Sequence, residues 1–365
     1  MPASMTSKER WLAALRLQPV DRLPFWPKLG GNYPGTQAAP FRAMALDALH
    51  AWIGSDPHGW VGPGVREKRS HTAVRTEAAS GRRRTLYETP LGACELLEEF
   101  DAPSDSWHPM RFPVQCREDI GRMTAWYDDA AIELDPDGIE RARAECARVG
   151  GSALLGAGIG ESPLMHWVEW LAGVEHAHYL LADYPGEVEA LFAAMHRVLL
   201  RRAELMAAHN PADVCYMVEN TSTTLISPEQ YDRYCFRHLG EYGRITRAAQ
   251  RILVLHMCGH LKRLLPRLAQ LPVEAFEAFT SPTLGNTSLL DGRTACPGQC
   301  LIGGTNAMLW TFPAAEIIRQ IERDLDELPH HRGIVVTSAG VMPPRCAPET
   351  IRTVCEWVRR YPVRN

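Results

Sequence analysis

Residues 251–280 read RILVLHMCGHLKRLLPRLAQLPVEAFEAFT, and this stretch decides the fold. Ile252 to Leu255 is a short apolar run, and Val273 to Ala278 is a second. Between them, His260 to Leu271 reads as a helix. Strands apolar on both faces and joined by a helical crossover pair in parallel under covering helices.

The same unit recurs on either side. Further strands are expected at Ala153 to Ala157, Val214 to Val218, Gln299 to Ile302 and Ile334 to Thr337. Helices are expected at Glu187 to Ala208, Pro228 to Gln250 and Ala314 to Leu328. Near the start, Ser7 to Leu17 has Trp11, Leu12 and Leu15 on one face, and Val20 to Trp26 leads into a first strand. Doubly wound open sheets share this alternation. The number of strands, and the lack of a glycine fingerprint after the first, favour closure into an α/β, (β/α)₈ TIM barrel with N-terminal excursions. Residues 1–365 then form one domain. Residues 1–136 hold the N-terminal helix, first strand and hairpin insertions, and 137–365 the regular β/α units. Within the first part, residues 29–80 read as loops and short helices. Residues 81–100 read as a hairpin turned at Pro90-Leu91-Gly92, with Arg82-Arg83-Arg84 as a solvated turn.

Composition excludes several classes of function. The 365 residues are 45% hydrophobic and 22% charged, with a formal net charge of −4. No basic field points to nucleic acid. No apolar run approaches the roughly 20 residues that span a bilayer, and Met1 to Arg10 is polar, so no membrane contact and a cytoplasmic location are expected. The ten cysteines, scattered through a large domain, are expected as thiols or metal ligands rather than disulfides.

In such a barrel the chemistry sits where strands end. The strand ends here are small or polar: Gly158 to Pro163 followed by His166, Glu219 to Ser222, His256 to His260, Phe279 to Pro282, Gly303 to Asn306 and Ser338 to Gly340. His256 and Cys258 are two apart, so both side chains face one way and Met257 the other. Imidazole and thiolate are preferred zinc ligands. A hydrogen-bonded core histidine beside a packing cysteine gives the same letters. Glu219 offers a second carboxylate or a metal ligand, or an anchor for a loop backbone. Gly303-Gly304 permits close approach of a cofactor or a tight turn. Glu161 and His166 are two ionisable groups at one mouth, although helix capping by Glu161 is the simpler account.

Several segments resemble a known family. Lys8 to Leu15 with Val20-Asp21-Arg22-Leu23-Pro24 is similar to the start of uroporphyrinogen-decarboxylase-like proteins. Leu255-His256-Met257-Cys258-Gly259 resembles the zinc-binding H-x-C-G element of their methyltransferase branch, which includes the methylcobamide:coenzyme M methyltransferases. Leu225 to Tyr231, Ile302-Gly303-Gly304 and Pro343-Pro344 with Pro348 to Ile351 resemble further family elements. There are two departures. Where the decarboxylases carry an Arg-Gln-Ala-Gly-Arg stretch that grips substrate carboxylates, this chain reads Lys28-Leu29-Gly30-Gly31-Asn32-Tyr33. The third zinc ligand of the methyltransferase branch, a cysteine, falls on Gly340; the nearest cysteine is Cys346.

The resemblance implies a zinc-dependent methyltransferase that moves a methyl group between a corrinoid (cobalamin) and a thiol or methyl-ether-type small-molecule substrate. His256 and Cys258 are then metal ligands, with Cys346 or Glu219 as a third. Glu219, His256 and Asn306 are catalytic candidates, and Gly303 and Gly304 the cofactor-binding ones. No cobalamin-binding D-x-H-x-x-G motif occurs, so the corrinoid would arrive free or on a separate protein. The alternatives are a metal-free decarboxylase-like lyase acting on a small carboxylated substrate, and a non-catalytic binding barrel.

Overall fold

The computed structural model describes residues 4–102 and 106–365; the first three residues of the polar N-terminal stretch lie outside them. Eight parallel strands run in one sheet: β1 Phe25–Trp26, β2 His58–Trp60, β3 Leu154–Gly160, β4 Val214–Val218, β5 Ile252–His256, β6 Ala275–Phe279, β7 Cys300–Gly304 and β8 Ile334–Thr337. Each pairs with its sequence neighbour from β2 round to β8, and β8 pairs back onto β1. The seam between β1 and β2 is bridged by Asp56, whose N–H donates to the Phe25 carbonyl at 2.7 Å. This is the (β/α)₈ barrel expected.

Side-chain parity sorts the core into two layers. Trp26, Val214, Tyr216, Ile252, Val254, Ala275, Cys300, Ile302 and Val335 form a cluster inside the barrel. Their neighbours Cys215, Met217, Leu253, Leu255, Met257, Phe276 and Leu301 pack outward under the helices. The N-terminal helix α1, Ser7–Leu15, plugs the barrel floor with fully buried Trp11, whose indole N–H donates to the Asp56 carbonyl at 3.0 Å. Beside it the buried Asp56 carboxylate takes buried Arg10 at 2.6 Å and half-buried Arg22 at 2.7 Å, so its charge is compensated.

Four expectations are corrected. Residues 29–80 contain β2 and strands Val65–Lys68 and Ala73–Ala79. The three residues of β2, His58-Gly59-Trp60, carry no apolar run to mark them. Arg82-Arg83-Arg84 is strand rather than turn: the turn is Ser80-Gly81, both at positive φ, and the arginines pair across to Glu99, Glu98 and Glu95. The hairpin closing at Thr89 and Gly92 is as expected and belongs to a four-stranded antiparallel sheet. His260 to Leu271 holds only the short helix Leu265–Leu268, because Pro266 lacks an N–H and fits only a helix's first turn. The stretch from Pro228 to Gln250 is helical but passes through a π-turn at Asp232–Phe236. All ten cysteines are free. Among the described residues, no helix is long and apolar enough to cross a membrane.

Candidate active site

The interior parity of β4, β5 and β6 carries Tyr216, His256 and Glu277 to the top of the barrel. His256 lies in register with Glu277, and Val218 with His256. The His256 Nδ1 and the Tyr216 hydroxyl both meet Glu277 Oε2. Lys28, just past β1, brings its ammonium to Glu277 Oε1 at 2.8 Å, to His256 Nδ1 at 3.4 Å and to the Ala339 carbonyl at 3.3 Å. A fully buried carboxylate is costly unless paired, and here three donors hold it. Burial works to raise Glu277, yet the His256 and Lys28 cations hold its carboxyl far below the usual range. Burial works to lower His256, yet Glu277 outweighs it and lifts the imidazole to about 9. An ionised carboxylate only accepts, so Nδ1 carries a proton. Below this layer His58 stacks on Trp26 at 4.9 Å, and burial pushes it down to about 4.

Cys258 is exposed at the mouth, with its thiol in hydrogen-bond reach of His256 and 3.4 Å from Asn220 Oδ1. Asn220 is placed there by backbone: the Glu219 and Asn220 N–H groups both donate to the His256 carbonyl, at 2.9 and 3.0 Å. Asn220 adopts positive φ, which its short polar side chain tolerates. Its Nδ2 donates to Glu169 Oε2 at 2.8 Å, and Glu169 hydrogen-bonds Glu161. Burial, reinforced by Glu219, lifts Glu161 to about 8; burial, reinforced by Glu161, lifts Glu169 to about 8. Burial raises Glu219 to about 7.

The expected site residues divide. His256 and Cys258 come together, and Met257 packs away from them. Glu219 is fully buried, one oxygen taken by the Ser162 N–H at 2.7 Å, which is the loop-anchor alternative. Cys346 is buried, its thiol pushed up to about 12 by burial and its carbonyl taken by the Tyr33 hydroxyl. Among the described residues, no three His, Cys, Asp or Glu side chains are arranged to hold a metal ion. Asn306 caps the turn Ala307–Thr311 and ties it to the Pro282 carbonyl at 2.8 Å. At Gly303 a Cβ would strike the Phe279 carbonyl; Gly304 has φ +88. Both glycines therefore have local structural reasons. Glu161 does not cap the following helix, whose N-cap is Ser162; it pairs with His166 at 3.1 Å.

Sequence reasoning missed Lys28, Tyr216, Glu169 and Glu277. Glu277 carried a signal: an acid inside the apolar strand Ala275–Phe279 is buried whichever way it faces, and so needs a partner.

A parallel barrel with an ion cluster at the strand ends and an exposed cysteine beside it defines a (β/α)₈-barrel protein with an enzyme-like mouth. The uroporphyrinogen decarboxylase (URO-D) family model matches residues 150–361, more than half the chain. The protein belongs to the uroporphyrinogen decarboxylase family. A search of the curated proteins gives no significant match. Among solved structures, a methyltransferase from Methanosarcina mazei shares the fold at TM-score 0.60 and 16% identity, over 98% of each chain. A proposed vitamin-B12-independent methionine synthase from Listeria monocytogenes shows TM-score 0.38 and 13% identity over 62% of this chain and 67% of that one. That likeness is too remote to carry weight.

Proposed function

We propose that the protein is a methyltransferase that moves a methyl group between a corrinoid and a thiol or methyl-ether-type substrate, with zinc held by His256 and Cys258. The observation that carries this is the oriented imidazole. Glu277 holds the Nδ1 proton, so Nε2, on giving up its own proton, is the nitrogen left for a metal, in the carboxylate–histidine arrangement common around zinc. Zinc, when bound, would keep a thiol deprotonated at neutral pH. Cys258, whose thiol donates to Asn220 Oδ1, would give up that proton to become the second ligand. Tyr216 and Lys28 fix Glu277, and through it the ring. Exposed apolar side chains stand at or beyond the C-terminal ends of four strands: Val218, Leu284, Met308 and Val341. They offer a seat for a flat macrocycle or the protein that carries it. The Methanosarcina mazei protein of the same fold is named a methyltransferase, which supports the same chemistry.

The test is to incubate zinc-loaded protein with methylcobalamin and a thiol while following the corrinoid spectrum. Demethylation with thioether formation is expected for wild type and not for Cys258→Ala. Equal rates in both would remove the proposal.

A metal-free lyase is the second reading. One observation favours it: the partly exposed Lys28 ammonium at the mouth could meet a substrate carboxylate. Release of carbon dioxide from a carboxylated substrate by chelator-treated enzyme would single it out.

A further inference from the structure

A cavity of about 300 Å³ lies outside the barrel, between the end of β3, the helix Pro185–His209 and the inserted sheet. Tyr87, Tyr127, Trp126 and Leu199 give it an apolar, largely aromatic wall. Two polar atoms on its lining residues are buried without a hydrogen-bond partner among the described residues: Trp126 Nε1 and Arg202 Nε. Glu161, on the same wall, is already engaged by His166 and Glu169. Buried polar atoms are almost always paired, so two of them on one cavity's lining point to a ligand.

Their chemistry narrows what that ligand is. An indole N–H and a guanidinium N–H only donate. Arg202 is poorly compensated: its nearest carboxylate, Glu67 at 3.5 Å, is already paired with Arg69. The cavity therefore offers donors and an excess positive charge at one end and aromatic surface at the other.

We propose that this cavity binds a small aromatic or branched monocarboxylate, with the carboxylate on Arg202 and the Trp126 N–H and the apolar body against Tyr87, Tyr127 and Leu199. Glu161 connects it to the barrel mouth through Glu169 and Asn220 to Cys258. Occupancy is thereby linked to the site, whatever reaction occurs there.

Calorimetric titration of the full chain with benzoate tests this, with benzamide as the neutral isostere. Saturable benzoate binding below about 1 mM is expected, with benzamide at least about tenfold weaker. Arg202→Met is expected to weaken benzoate about tenfold or more. Trp126→Phe, which keeps a ring and removes the N–H, is expected to weaken it about threefold to tenfold. Absence of binding, equal affinity for benzamide, or unchanged affinity in Trp126→Phe overturns the proposal. That last variant decides the matter alone if Arg202→Met does not fold.

Discussion

Replacing Glu277 by Gln removes the charge that organises the barrel mouth while keeping its shape. In the native protein His256 rises from 6.5 to about 9, against a burial effect of opposite sign. Each pKa unit corresponds to about 1.4 kcal/mol, so the imidazolium gains about 3 kcal/mol from its surroundings. The imidazole is only 13% exposed, so solvent screens little of this. A group with a raised folded pKa binds more protons folded than unfolded. Its stabilisation is complete below the unfolded value near 6.5 and is lost as pH rises through about 9. Chelator-treated wild type should therefore lose about 3 kcal/mol of unfolding free energy from this group between pH 6 and 9.5. In Glu277→Gln, burial is left unopposed and the imidazole is neutral at pH 7. That component of the slope should vanish, and stability at pH 6 should fall by about 3 kcal/mol or more, because Lys28 also loses its partner. Denaturant unfolding at five or six pH values provides the comparison. Parallel pH profiles for the two proteins would refute the charge network.

Three other perturbations test separate parts of the structure. The carboxyls Glu161 and Glu169, each raised to about 8, remain protonated in the fold while their unfolded counterparts ionise above about 4.5, so they favour folding less as pH rises through 8. Glu161→Gln should flatten that decline in a melting series from pH 5 to 8.5; an unchanged series would contradict a shared, buried proton. Gly303→Ala places a methyl against the Phe279 carbonyl and should cost about 1–3 kcal/mol, measured by urea unfolding. Asp56→Asn leaves Arg10 and Arg22 facing a neutral amide at the barrel floor and should cost about 3–5 kcal/mol; a loss below about 1 kcal/mol would show that the ions are solvated instead.

The fold was legible because most of its strands are continuous apolar runs between helices, as in Ile252 to Leu255. What escaped lacked that signature. His58-Gly59-Trp60 is too short and mixed to register as a strand. Pro266 ended a helix that apolar spacing had extended. At the site, His256 and Cys258 were visible because their residue types are themselves informative. Glu277 and Tyr216 were obscured by apolar neighbours in the same strands, although a lone acid in such a strand demands a partner. Lys28 and Glu169 meet their partners only through the closed barrel and the loop pinned by Asn220. No local pattern encodes that.

Zinc content per chain, measured on tag-free protein after growth with zinc, tests the proposed chemistry most directly. About one zinc per chain is expected in wild type, lost in His256→Ala and Cys258→Ala and retained in Cys346→Ala and Glu219→Ala. Metal-free wild type after refolding with zinc, or full retention in Cys258→Ala, would contradict it and leave the metal-free lyase as the reading to pursue.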